Sequence, residues 1–127
     1  MKKIAYNVPE NTEMKFPFSH AAEMNGVVYL SGQPSMDLAT GNFIDGDFNS
    51  QFEQCFSNLD AVLHAAGLTR DDVIKCTVFL IDMRDFTAMN ELYASKFEKP
   101  YPARSCFAVS GLPLGAKVEV EMVAQRK

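Results

Sequence analysis

The chain has 127 residues, 47% apolar and 22% charged, which predicts one domain over residues 1–127 with a core of ordinary size. Twelve basic and sixteen acidic residues give a net charge of −4, and the basic pairs Lys2-Lys3 and Arg126-Lys127 are short, so no basic stripe marks a nucleic-acid surface. Three widely spaced cysteines (Cys55, Cys76, Cys106) without a C-x-x-C pair exclude a disulfide framework or a zinc site, no apolar run reaches membrane-spanning length, and Met1–Asn7 turns polar too early for a signal peptide; reduced thiols in a cytoplasmic protein are expected.

In chain order, Met24-Asn25-Gly26-Val27 carries the strongest hairpin signal, because Asn-Gly takes the two left-handed positions of a tight turn. Its strands are predicted over 19–23 and 27–31, and Ser31-Gly32-Gln33-Pro34 is expected to stop the second. Phe48, Phe52, Cys55, Phe56, Leu59, Val62, Leu63 and Ala66 recur at helical spacing, and Gly67 is placed to end that helix. A β-branched run over 73–81 predicts a strand with Ile74, Cys76, Val78 and Leu80 on one face. Asp82 can cap a second helix with the stripe Phe86, Met89, Tyr93 and Phe97, which Pro100 and Pro102 stop. Strands over 104–109 and 117–124 follow, joined by Gly111-Leu112-Pro113-Leu114-Gly115. On the last, Val118, Val120, Met122 and Ala124 share one face, and Glu119 and Glu121 point the other way.

The order β-β-α-β-α-β-β predicts an α+β domain, one mixed sheet with two helices on one face. The other face is then uncovered within a single chain, a surface that such domains commonly bury by self-association.

Two residues draw attention as chemistry. Arg104, in Pro102-Ala103-Arg104-Ser105-Cys106, presents a planar, permanently charged fork that matches a carboxylate. Glu119 can position or deprotonate a water. Together they would hold a small carboxylic acid and bring water to the carbon beside its carboxylate. Each also has a plainer reading: Arg104 as an interface or salt-bridge arginine, Glu119 as a solvated strand glutamate, Asn90 as a buried hydrogen-bonding group. His64 suits a helix end, His20 lies beside the first hairpin, and Cys106 has no histidine placed to activate it.

Several stretches, in order and spacing over nearly the whole chain, resemble the Rid family (YjgF-type reactive-intermediate deaminases). They are Ser31-Gly32-Gln33, Ala65-Ala66-Gly67-Leu68, Val73–Phe79, Asp85-Phe86 with Met89-Asn90 and Tyr93, Pro102–Ser105, and Leu112-Pro113 followed by Val118–Glu121. The resemblance implies a chorismate-mutase-like fold and a homotrimer with a cleft at each subunit interface. It implies hydrolysis of enamine or imine acids to 2-keto acids and ammonia, with 2-iminobutanoate and 2-iminopropanoate as substrates, and needs neither a metal nor an organic cofactor. By the same resemblance Arg104 grips the substrate carboxylate and Glu119 orients the attacking water. Ser31 and Asn90 line the cleft, Cys106 lies beside the arginine, and Gly32 lets the main chain approach the ligand.

The chain departs from the family at Phe16-Pro17-Phe18, where many deaminating members carry Gly-Pro-Tyr. Phe18 keeps the cleft-facing ring and loses the hydroxyl, and one lost hydrogen bond is worth about 1 kcal/mol. Three alternatives therefore stand beside the deaminase: a keto-acid-binding regulatory protein, a deaminase for an aminomuconate- or aminoacrylate-type substrate, and a ribonuclease or translation inhibitor, against which the net charge argues.

Overall fold

The computed structural model describes residues 2–127. Asn25 and Gly26 have φ of 54° and 80°, the left-handed pair that a tight hairpin turn requires. They join strand β2 (Ala21–Met24) to β3 (Val27–Pro34), with Met24 opposite Val27. Ahead of them a three-residue strand, β1 (Ile4–Tyr6), pairs with β2; it is absent from the predicted order. Helix α1 (Phe48–Ala65) opens with the Asp47 carboxylate accepting the Ser50 N–H. It closes with Gly67 at φ 73°, its N–H on the His64 carbonyl and the Leu68 N–H on the Leu63 carbonyl. Then come β4 (Val73–Leu80), α2 (Phe86–Ala94), β5 (Ala103–Ala108) and β6 (Val118–Gln125).

The strands form one mixed sheet in the order β1-β2-β3-β6-β4-β5. Only the β4–β5 pair is parallel. The expected α+β class and the covered sheet face are therefore observed. Phe52, Phe56, Leu59 and Leu63 of α1 are fully buried against Val28 and Leu30 of β3, Cys76, Val78 and Leu80 of β4, and Val118, Val120 and Met122 of β6. Phe56 is the hub of an aromatic cluster: its ring lies 5.0 Å from Phe52, 6.0 Å from Phe97 and 6.3 Å from Tyr93, with the Arg70 guanidinium 5.4 Å from its centre.

Apart from shifts of one or two residues at strand ends, the structure differs from the sequence expectations in three places, each for a local reason. β3 runs on through Pro34, because a register shift between Leu30 and Gln33 absorbs the Ser31-Gly32 step. Ile74 is exposed and Val73 takes its place in the core, because β4 carries a second irregularity between Val73 and Lys75. Asp82 accepts the Arg84 N–H and caps a short 3₁₀ turn, Met83–Asp85, that feeds α2; the helix then ends at Ala94, three residues before Phe97.

The end of β6 is fastened to the rest by Arg126. It donates to both carboxylate oxygens of Glu23 on β2, at 3.0 and 2.8 Å, and to the Ala66 carbonyl at the end of α1, at 2.7 Å. The Tyr6 hydroxyl of β1 donates to the same carboxylate at 2.7 Å. These bonds, Arg126 first and Tyr6 second, hold the Glu23 carboxyl at about 2, below its ordinary 4.5.

Two stability measurements follow. Phe56→Ala empties the centre of the aromatic cluster and is expected to cost about 3–5 kcal/mol by chemical denaturation. The stabilisation from Glu23 is complete above pH 4.5 and is lost as the pH falls through about 2. The wild-type melting temperature should decline across that window, and Glu23→Gln should melt lower at neutral pH and show a shallower decline; equal slopes would contradict this role.

Candidate active site

Arg104 stands on β5 opposite Cys76 of β4, on the face that the helices cover. α2 lies above it. Its guanidinium donates to the Asn90 side-chain oxygen at 2.7 Å and lies 5.0 Å from the Tyr93 ring centre and 5.8 Å from that of Phe86. Among the described residues no carboxylate pairs with it. A half-buried cation held by an amide oxygen and two aromatic faces is oriented without being neutralised. Its capacity for a bidentate carboxylate remains unused. The plain salt-bridge reading of Arg104 therefore fails within the chain, and Asn90 acts as its orienting partner.

Cys106 lies two residues further along β5, opposite Val78 and on the same face. Burial raises its pKa and the nearby Arg104 only partly opposes this, so the thiol is no ready nucleophile. Cys55 and Cys76 are buried more deeply, and burial pushes them to about 12 and about 11. All three cysteines are free.

Glu119 stands on β6 between Pro34 of β3 and Phe79 of β4, on the opposite, open face. Its carboxylate packs directly over Gly32, where a Cβ would overlap it. Glycine is needed here for that close approach, which the irregularity in β3 creates. Burial raises the Glu119 pKa above the ordinary carboxylate value, and the Glu121 charge raises it further. Ser31, next to Gly32, donates its hydroxyl to the Ser19 carbonyl at 2.7 Å and its N–H to the His20 carbonyl at 2.9 Å. Phe18 is 43% exposed and turns its ring edge-on to His20, with centroids 5.9 Å apart. Phe18, Ser31, Tyr29 and Glu121 line a groove of about 640 Å³ on this face, with Phe16 at its rim.

The seven site residues expected from the sequence thus fall into two groups. Asn90, Arg104 and Cys106 belong to the α2–β5 edge; Phe18, Ser31, Gly32 and Glu119 belong to the open face. Strand pairing fixes the separation. Arg104, Cys76 and Met122 form one row across the sheet, and Phe107, Phe79 and Glu119 form another with the opposite sense. A single chain does not bring Arg104 and Glu119 together. His64 is exposed at the end of α1 and joins neither group.

Two contributors escaped the sequence reading. Phe86 and Tyr93 read as core stripe, yet with Asn90 they grip the Arg104 guanidinium. Their spacing from Asn90, four residues before and three after, puts all three on one side of α2 and was the available signal. Among the described residues no cluster of three or more His, Cys, Asp or Glu could hold a metal ion, and no helix is long and apolar enough to cross a membrane.

Residues 10–126 match the family described as Endoribonuclease L-PSP. The chain is 44% identical over 107 residues to the RutC family protein y4sK of Sinorhizobium fredii, covering 84% of this chain and 85% of that one. It is 38% identical over 108 residues to the 2-iminobutanoate/2-iminopropanoate deaminase of Capra hircus, covering 85% of this chain and 79% of that one. Its fold superposes on the crystal structure of YyfA from Yersinia pestis, described as a protein of unknown function of the conserved Rid family, with a TM-score of 0.90 and 36% identity over 98% of this chain and 99% of that one. The chain belongs to this family, the YjgF/RutC/Rid family of L-PSP fold.

Proposed function

We propose that this protein is a cofactor-free imine deaminase that converts small 2-imino acids, such as 2-iminobutanoate or 2-iminopropanoate, to 2-keto acids and ammonia. Its active site forms between subunits. The observation that carries this reading is the division of the site: an oriented, unneutralised Arg104 on one face and, on the other, a Glu119 carboxylate whose pKa burial raises. The two patches differ, so copies of the chain associate head to tail and close a ring. A trimer, the assembly implied by the family resemblance, gives three sites. The open face also has the apolar surface that association would cover, including Tyr29 at 58% and Phe107 at 48% exposure.

In such a site the substrate carboxylate takes the fork of Arg104, and this fixes the imine carbon. Glu119 of the adjoining copy accepts a proton as the water oxygen bonds to that carbon and the C=N π pair moves to nitrogen. The proton then passes to the amine. The carbon–nitrogen bond breaks as the hydroxyl oxygen forms the carbonyl and releases its own proton, leaving a keto acid and ammonia. A carboxylate with a raised pKa is the better base for the first step. Phe18 supplies a ring and no hydroxyl, which favours one competing reading, a protein that binds keto acids without turnover. The same assay separates the two.

Arg104→Ala is expected to lower kcat/KM for freshly generated 2-iminobutanoate by about 100-fold or more while leaving the folded assembly intact, with Arg104→Lys intermediate. No acceleration by folded wild type, together with measurable keto-acid binding, would favour the binding protein. Shared sites give a sharper test. Arg104→Ala and Glu119→Gln subunits, each inactive alone, should regain about a quarter of wild-type activity when refolded together at equal amounts, because one interface in four then pairs an intact Arg104 with an intact Glu119. No recovery in assembled mixtures would contradict a site shared between subunits.

A further inference from the structure

Glu121 has no part in the reaction as described above, yet its position ties it to the site. It follows Glu119 by two residues on β6, so both side chains leave the same face of the sheet. It is paired with Thr77 of β4, which is uncharged. It also lines the groove formed by Phe18, Tyr29 and Ser31. Glu119 cannot lean away from it freely, because its carboxylate is packed over Gly32. Two acidic side chains are therefore held on one half-buried strand face, beside the water-side wall of the proposed cleft.

We infer that Glu121 is a positioning residue of the deaminase reaction, acting through Glu119: its carboxylate, on the same strand face, makes the neighbouring carboxylate the group that takes the proton from the attacking water. The inference rests on the deaminase reading and extends it to a residue that does not touch the substrate.

The surrounding charges agree with that role. Just ahead of β6, the Lys117 ammonium donates to the Gly46 carbonyl at 2.9 Å. On β4, Lys75 donates to the Ser105 hydroxyl at 2.9 Å. From β3, Gly32 lies under the Glu119 carboxylate and Pro34 is paired with Glu119, and Tyr29 is the titratable residue of that strand on the groove. Lys3 lines the same groove as Glu121. Behind the sheet, the Cys55 thiol is buried and uncharged at neutral pH. None of these cations pairs with Glu119 or Glu121 among the described residues. Within one chain Glu121 is therefore the charge that Glu119 feels most strongly, and two like charges on one face disfavour ionisation of the more buried one.

The test is a pH titration of the assembled protein, followed by carboxyl ¹³C NMR and by kcat/KM for 2-iminobutanoate. Glu119→Gln assigns the Glu119 signal. In Glu121→Gln the Glu119 midpoint and the acidic limb of the rate profile should both move to lower pH, by about half to one unit, while Glu121→Asp keeps both near wild type. Glu121→Thr, which suits a strand, should give the same shift as Gln if the Gln variant does not assemble. An unmoved midpoint and limb in an assembled, active Glu121→Gln or Glu121→Thr protein would overturn the inference. Absence of imine hydrolysis by the wild type would instead overturn the deaminase reading, and the NMR midpoint alone would then decide whether the two carboxylates are coupled.

Discussion

A sheet presents two faces, and in this chain both helices lie on the same one. Every buried apolar side chain of β4 and β6 turns toward α1 and α2, and alternation then sends Glu119, Glu121, Thr77 and Phe79 the other way. The constraint is severe, because a shift by one residue would exchange the two sets and place two carboxylates in the core. It also determines the chemistry. Arg104 faces α2 because its row across the sheet is the core row of Cys76 and Met122, and the Asn90 side chain holds it there.

The two halves are prepared in opposite ways. Around Arg104 the neighbours are neutral: an amide oxygen, a thioether and two rings. They fix the direction of the guanidinium and leave its charge intact, so an incoming carboxylate meets an oriented partner and little reorganisation is needed. Around Glu119 the neighbours withhold stabilisation: a glycine backbone, an aromatic ring and a second acid. In the assembly proposed above, Arg104 alone would draw the Glu119 proton off. A bound substrate carboxylate would offset that pull, so the base keeps its proton affinity only while the substrate is present.

Much of this was legible in the sequence, and the failures have physical causes. The Asn25-Gly26 turn, the α1 stripe with its Gly67 stop, and the alternation of β6 all follow from strong local signals, and they appear where expected. β1 has three residues and depends on Tyr6 reaching Glu23, a contact 17 positions away that no local pattern reveals. The irregularities in β3 and β4 shift the period midway, which misplaced Ile74 and shortened β3 in the reading. Arg104 and Glu119 were singled out by residue chemistry, and the rest of the site was named by resemblance. The opposed direction of Glu119 could be read from β6, but that of Arg104 could not, because β5 is an edge strand with no clear alternation of buried and exposed residues.

The groove wall shows what the missing hydroxyl leaves behind. Phe18 donates its N–H to the Phe16 carbonyl at 2.8 Å, across a single proline, and its ring rests edge-on against His20. His20 is itself fixed, since it accepts the Val8 N–H on its ring nitrogen and gives its own N–H to the Asn7 side chain. Burial lowers its pKa, which suits a neutral ring in that accepting role. The wall is thus tied to the segment after β1 and contributes shape alone. In the proposed site, polar recognition would then come from Arg104, Asn90, Ser31 and Glu119. That set suits a small anion gripped at one end and attacked by water beside it. It suits a phosphodiester chain less well, because the open face carries Glu119 and Glu121 and its groove offers Lys3 as the one cation among its lining residues. The family's ribonuclease description therefore finds no support in the chemistry of this face, and in the proposed site the same two carboxylates would equip the protein to deprotonate water.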